Sequence, residues 1–582
     1  MESESLMSDL KEVETAPNGG KKNLTPVPTK SSKVSRNTLY GFLMAFVVGW
    51  IFIEMDLLTI FGGTQDIINL VDYMLPVQFD YWERALELTF ETLWMAVIGT
   101  LLAIVLSVPL AFMAASNTTP HPTVYAAARG IITFSRAVPD LVFALVFVRA
   151  LGIGVLPGIM ALALHSVGMI AKLLADAIEQ ADKSPREAVR SVGAGPFQNI
   201  ITSIVPQIIP AFISISLYRL DINLRSSTVL GLVGAGGVGL LLKKTLGQLD
   251  YSNALGVVAI IFAFILLMEV LSAAVRLQIL SGENFGGQGS RSNMMTNLLK
   301  RIGFDPEARR ERRMQNRETK PNPRIVPPMT KERLNIRIYS LIFLALIVAA
   351  FVSVQLNPLE LFTSFGGIIE ISGRLIPPDF VTAGPQIVQG LIETLAIAIV
   401  STVLGSIISI PLGFLAAANV SVNRIVYGIT RLVLVIIRGI PELILAIIFV
   451  AAIGLGPIAG VFALTIGTGG FLAKLVADSV EEIDPQPRQA VIATGASRIQ
   501  ELFTSVLPQV LPALVGQLLY TFDINIRASA ILGIVGGGGI GFLLFNSMKV
   551  LAFETTGAII LATFLLVYLI EILAGYVRRQ II

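Results

Sequence analysis

The sequence predicts an all-α integral membrane protein built from two homologous six-helix halves, about 12 transmembrane helices in all. Three observations predict it. Residues 91–245 return 302 positions later with no gap, and 221–241 matches 523–543 at 13 of 21 positions. A repeat this long is two whole domains, not a solenoid. The chain is 54% hydrophobic and only 14% charged, against ~25% charged for soluble domains. Apolar runs near the ~20 residues that cross a bilayer recur in both copies.

Half one should span the membrane near 39–58, 88–115, 131–150, 156–176, 204–222 and 255–275. Half two should do so near 337–356, 390–418, 433–452, 458–478, 506–524 and 557–577. This divides the chain into a tail at 1–37, a first membrane half at 38–277, a basic linker at 278–335 and a second membrane half at 336–582. The first apolar run follows Lys21, Lys22, Lys30, Lys33 and Arg36, and no small-residue cleavage site comes after it. It reads as an uncleaved first helix. Ten Lys or Arg against four acids lie between Arg291 and Arg324, whereas the loop at 59–87 has Arg84 alone and that at 357–389 has Arg374 alone. The positive-inside rule then places the linker and both termini in the cytoplasm. A net charge of +3 is too small to point to nucleic acid, and the absence of cysteine excludes disulfides and thiolate metal sites.

A polar stretch separates the fourth and fifth spans of each half, and parity places both stretches inside the cell. Pro185 and Pro487 suit the first turn of a short helix, where a missing N–H is harmless. Gly193 and Gly495 suit its C-terminal stop. Each half should therefore present one short surface helix to the cytoplasm.

These stretches resemble the cytoplasmic signature of ABC importer permeases. Half one reads Glu187-Ala188-Val189, three residues, Gly193, and then Val205-Pro206; half two reads Gln489-Ala490-Val491, Gly495 and Leu507-Pro508. Val replaces the signature's second Ala in both copies, and Gln489 replaces Glu in the second. The run from Ser216 to Gly239, with Gly454-Leu-Gly456-Pro457, Leu507-Pro508-Gln509 and Pro377-Pro378-Asp379-Phe380, resembles the phosphonate permease (PhnE-type) family. Members are usually single six-span subunits that pair, and this chain resembles two of them fused.

The resemblance implies the type I ABC importer architecture in a bacterial plasma membrane. It implies two ATPase subunits docked on Glu187, Ala188, Gly193, Gln489, Ala490 and Gly495, and an extracytoplasmic binding protein that delivers phosphonate, phosphate or phosphite. This chain itself should hold no cofactor, metal or catalytic residue. ATP and Mg would bind the partner ATPases, in keeping with the lack of a GxxxxGK[ST] sequence here. The alternatives are an ion-coupled secondary transporter, which has no reason to carry paired coupling loops, and an importer of an amino-acid-like solute.

Two readings are open for Arg225 and Arg527. Arginine in a span is costly and faces a cavity or a partner. The pair, with Asn223, Asn525, Ser227 and Ser529 as neutral donors, would suit a tetrahedral oxyanion path. Equally, Asp221 and Asp523 stand four residues earlier, the spacing of a local helical ion pair. The same spacing makes Lys172–Asp176 and Lys474–Asp478 structural pairs. Arg136 and Arg438 read as structural or headgroup-facing. Gly234, Gly236, Gly237 and Gly239, with Gly536, Gly538, Gly539 and Gly541, fit GxGxxG spacing, but their flanks are membrane helices rather than a βαβ unit. Close packing, or an interrupted helix whose free N–H groups meet an anion, are the readings there. Glu91 and Glu393 are explained by the dipole at the start of the second span. His165 reads as a packed residue. Lys243 and Lys244 align with Phe545 and Asn546, which would leave the path electrostatically lopsided.

Overall fold

The computed structural model describes residues 30–55, 68–280, 345, 348–354 and 365–581, and every regular element among them is helical. The tail before residue 30, nearly all of the 278–335 linker and much of the expected 337–356 span lie outside these residues.

Half one runs α1 (Lys30–Phe52), α2 (Trp82–Ala114), α3 (Pro122–Ala137), α4 (Asp140–Leu151), α5 (Val155–Glu179), α6 (Lys183–Ser191), α7 (Val205–Leu230), α8 (Val238–Gly247) and α9 (Tyr251–Leu280). Half two repeats this from the second span on: α10 (Phe365–Arg374), then α11 (Phe380–Leu415), α12 (Arg424–Gly439), α13 (Glu442–Ile453), α14 (Pro457–Glu481), α15 (Pro485–Ala493), α16 (Leu507–Leu532), α17 (Ile540–Lys549) and α18 (Phe553–Ile581). Eight of the described helices are long and apolar enough to cross a membrane, or ten when each bent pair is taken as one span. The chain is a multi-pass membrane protein.

Three expectations change. The third span of each half is not one rod: α3 and α4 meet at 90°, and α12 and α13 at 80°. The breaks fall at Pro139 and Pro441, which lack the N–H a continuous helix needs and push the preceding residue into extended backbone. The first span ends at Phe52 rather than 58. The fifth is longer than expected, because Pro196–Asn199 and a π-helical turn at Ile200–Ile204 run into α7 and a 3-10 turn at Gly231–Val233 continues it, giving 38 residues from Pro196 to Val233. The same turn recurs at Leu502–Val506 ahead of α16.

Within each half the second and fourth spans pack closely through small residues, as helices without a hydrophobic drive between them must. Gly99 faces Leu162 and the Ile159 carbonyl, and the buried Ser107 hydroxyl donates to Ala103 and Val167 carbonyls. Gly405 and Gly413 meet Thr468 and Val476 in the same way.

The halves are interlocked. α1 leaves its own half and packs on α11, α16 and α18. Gly49 lies against Ala396 and Val400, and Phe42 meets Phe522 edge-on at 5.5 Å. The opposite face of α1 exposes Leu43, Met44, Val47 and Ile51, a lipid-facing stripe. In return Ala350, from the described part of half two's first span, is buried in a core with Met95, Ile98 and Leu141.

Candidate functional site

The loop helices α6 and α15 are capped alike. Asp182 accepts the Ser184 N–H at 3.0 Å, and Asp484 accepts the Gln486 N–H at 2.9 Å. Gly193 and Gly495 stop them with φ of 87° and 80°. No residue of either helix is buried, so Glu187, Ala188, Gln489 and Ala490 form a surface. The helices are anchored differently. Gln207 binds the Asp182 backbone in half one (2.9 Å), while Arg488 pairs with Glu501 in half two. Behind each, one arginine clamps the end of the fourth span: Arg129 to Glu179 (3.0 Å) and Arg431 to Glu481 (2.7 Å), each also donating to a carbonyl fifteen residues earlier. The expected Lys172–Asp176 and Lys474–Asp478 pairs form.

Two charge clusters join the halves inside the membrane region. Arg225 lies 3.6 Å from Asp221 and 3.5 Å from Glu269 of α9, and Glu269 reaches Arg438 of the other half at 3.9 Å. Arg527 pairs with Asp523, and Glu571 of α18 pairs with Arg136 of the first half at 2.9 Å. Glu269 and Glu571 are 302 positions apart, as are Arg136 and Arg438. The contact is therefore isologous, with each half giving an arginine to the other's carboxylate. Each cluster holds two guanidiniums and two carboxylates and is neutral overall. Arg136 and Arg438 are thus inter-half anchors, not headgroup contacts.

Asn223 and Asn525 are buried beside these clusters but bind within their own half. Asn223 joins Thr100 (2.8 Å) and Ser166 (3.0 Å), and Asn525 joins Thr402 (2.8 Å) and Thr468 (2.9 Å). Ser227 and Ser529 are wholly buried and donate to carbonyls one turn back, at Leu224 and Ile526.

On the face opposite α6 and α15, the glycine runs are tight re-entrant turns. Gly237 and Gly539 have φ of 76° and 75°, which favours glycine. A Cβ on Gly239 would stand 2.3 Å from the Thr228 carbonyl oxygen, and one on Gly541 1.8 Å from that of Ala530. The turns' N–H groups do face an anion, one from the chain itself. Gly237 donates to Glu91 and Gly539 to Glu393, both at 2.9 Å, while Val238 and Ile540 donate to Thr92 and Thr394. This corrects the dipole account of both glutamates. The second span begins at Trp82 and Phe380, so each carboxylate lies well inside its helix and caps α8 or α17 instead. His165 Nδ1 lies 3.1 Å from the Ser135 and Val138 carbonyl oxygens, a packed position at the α3–α4 bend.

Sequence reasoning missed the Glu269 and Glu571 partners and the Arg129 and Arg431 clamps. Their signal was available, since each is a charge kept at the 302-residue repeat inside or beside an apolar run.

A duplicated helical membrane domain that shows one short exposed helix per half on a single face belongs to the permease class of transport subunits. The family model of the binding-protein-dependent transport system inner membrane component matches residues 107–279 and 409–582, once in each half, and the chain belongs to that family. It is 48% identical over 520 residues to the phosphate-import permease protein PhnE of Mycolicibacterium smegmatis, covering 89% of this chain and 90% of that one. It is 38% identical over 235 residues to the phosphite transport system permease protein PtxC of Stutzerimonas stutzeri, covering 40% of this chain and 86% of the relative. The chain is also similar to a methionine ABC transporter solved in inward-facing conformations, over 34% of this chain and 96% of that one, at 27% identity and a TM-score of 0.31.

Proposed function

We propose that the chain forms the membrane path of an ATP-driven importer for phosphate-class oxyanions: phosphate, phosphite or phosphonates. The observation that carries this is the 48% identity, over nearly the whole of both chains, to a phosphate-import permease. Two ATPase subunits, which supply ATP and Mg, would dock on α6 and α15 from the cytoplasm, with both termini on that side. A binding protein would deliver cargo at the opposite face. ATP-driven closure would draw α6 and α15 together, and the neutral Arg–carboxylate clusters between the halves would rearrange as the path opens outward. Arg225 and Arg527 are proposed to line that path, each exchanging a carboxylate for the passing oxyanion, while Asn223, Asn525, Ser227 and Ser529 hold the helices that carry them. The glycine turns would form the gate at the outer end. The chain performs no bond chemistry of its own.

The test is ATPase activity of the chain with its ATPase and binding protein in lipid nanodiscs, with phosphate, phosphite, methylphosphonate and 2-aminoethylphosphonate added in turn. Stimulation by one of them, lost when Glu187-Ala188 and Gln489-Ala490 are replaced by bulky residues, is expected. Uptake driven by an ion gradient without any ATPase would overturn the reading.

A further inference from the structure

At the outer ends of α7 and α16, between the halves, lies a cavity of about 400 Å3. Its wall is mostly apolar, with Leu232, Ile447, Leu455 and Phe542 among its lining. Three polar side chains enter it: Lys243 from α8, and Asn546 and Lys549 from α17. No carboxylate lines it. The Lys549 ammonium sits 4.2 Å from the centre of the Phe545 ring, which fixes its position.

We propose that Lys243 and Lys549, with the Asn546 amide, form an anion-receiving site for one tetrahedral oxyanion at the outer mouth of the path. This rests on the oxyanion-importer reading and names the residues that would first take the cargo.

Four physical points support it. The volume lies in the range of small-ligand sites, ~300–1,000 Å3. Apolar residues on the wall lower the local dielectric and strengthen the attraction between an ammonium and an oxyanion, while the two lysines, exposed at the mouth, stay within reach of an ion in water. Burial, and then the neighbouring Lys549 ammonium, push the Lys243 ammonium below its ordinary value; a bound dianion would relieve the repulsion between the two cations. Lysine suits this task, being a compact charge with rotatable donors for an ion that arrives and leaves. Arginine, paired with carboxylates, occupies the clusters deeper in the membrane.

The site is made by breaking the repeat. The counterpart of Lys243 is Phe545, and that of Lys549 is Gly247. Two identical subunits would carry the same lysine at the same position on both sides of the axis. The joined halves place one lysine on each side, facing a single cavity, and a cationic solute would be repelled there.

The test uses the full chain with its ATPase and binding protein in nanodiscs or liposomes, with inorganic phosphate as probe. Phosphate-stimulated ATPase of the unaltered complex checks the importer reading first, so its failure is seen separately. The variants are Lys243→Gln, Lys549→Gln and both together, with Lys243→Arg and Lys549→Arg as charge-retaining controls for folding. At saturating binding protein, the double Gln variant should lower phosphate uptake at least tenfold while the Arg variants keep most of it. Phosphorus-31 line broadening by the purified chain, without binding protein, should disappear in the double Gln variant. If phosphate uptake by that variant matches the unaltered chain, the site does not exist. If the deficit is seen only at sub-saturating binding protein and vanishes at saturation, the lysines dock the delivery protein and the proposal is overturned. Phosphorus-31 signals that the unaltered chain leaves sharp would also overturn it.

Discussion

Glu91 stands nine residues after Trp82, and its carboxylate caps a helix whose N-cap, Gly237, lies 146 residues further along the chain. Glu393 repeats the arrangement at Gly539. A carboxylate that accepts a turn's N–H satisfies one of the donors left free at a helix start and opposes the positive end of its dipole. Glu91→Ala should therefore destabilise the α8 turn by about 1–2 kcal/mol. It should lower the melting temperature in detergent and speed hydrogen exchange at Gly237 and Val238. Unchanged exchange at those amides would count against the cap. At the same scale the halves have diverged by exchange. Where half one has His165 and Asp140, half two has Gly467 and Glu442, and the space a Gly467 Cβ would need is filled by Glu442, 2.7 Å away. A larger acid has taken the room that the missing imidazole left.

The loop helices show what capping does for an element with no core. α6 buries none of its residues, so its ends must hold it. Asp182 accepts both the backbone N–H and the hydroxyl of Ser184, and these hydrogen bonds hold its carboxyl below the ordinary carboxylate value. A depressed folded-state value means the stabilisation is complete above the unfolded value and is lost as pH falls through the folded one. Protection of the α6 amides, taken relative to the intrinsic exchange rate at each pH, should thus be constant above about pH 5 and fall below the usual carboxylate range near 4. Asp182→Ala should show the unprotected behaviour at every pH. A pH-independent profile in both proteins would remove Asp182 from the account. Pro139 and Pro441 act on elements in the opposite sense. They turn each third span into two short helices, so that Arg136 and Arg438, ending α3 and α12, face the other half rather than continuing through the bilayer.

At the scale of the whole molecule, the two halves are held by reciprocal contacts. α1 packs on the second half, and Arg136–Glu571 and Glu269–Arg438 cross the interface in both directions. These side chains are only a fifth to a quarter exposed, so removing one partner leaves a charge short of water. A double-mutant cycle on Arg136→Gln and Glu571→Gln should return a coupling energy of about 0.5–3 kcal/mol. It should also make transport-linked ATPase less dependent on cargo, because the clusters tie one half's motion to the other's. A coupling energy near zero would show that the pair is incidental. Much of this architecture was legible in the sequence. Composition and the 302-residue period mark two copies of a membrane domain, and Pro, Gly and the Glu-Ala-Val spacing mark α6 and α15. These are local or periodic signals, carried by neighbouring residues whatever the rest of the chain does. The tertiary structure alone decided which arginine meets which carboxylate, that the first spans change halves, that Glu91 and Glu393 serve distant turns, and that Lys243 and Lys549 share one cavity. Each depends on how helices far apart in the chain are rotated and stacked, and a charge in an apolar run has the same sequence signature whichever partner the packing brings to it.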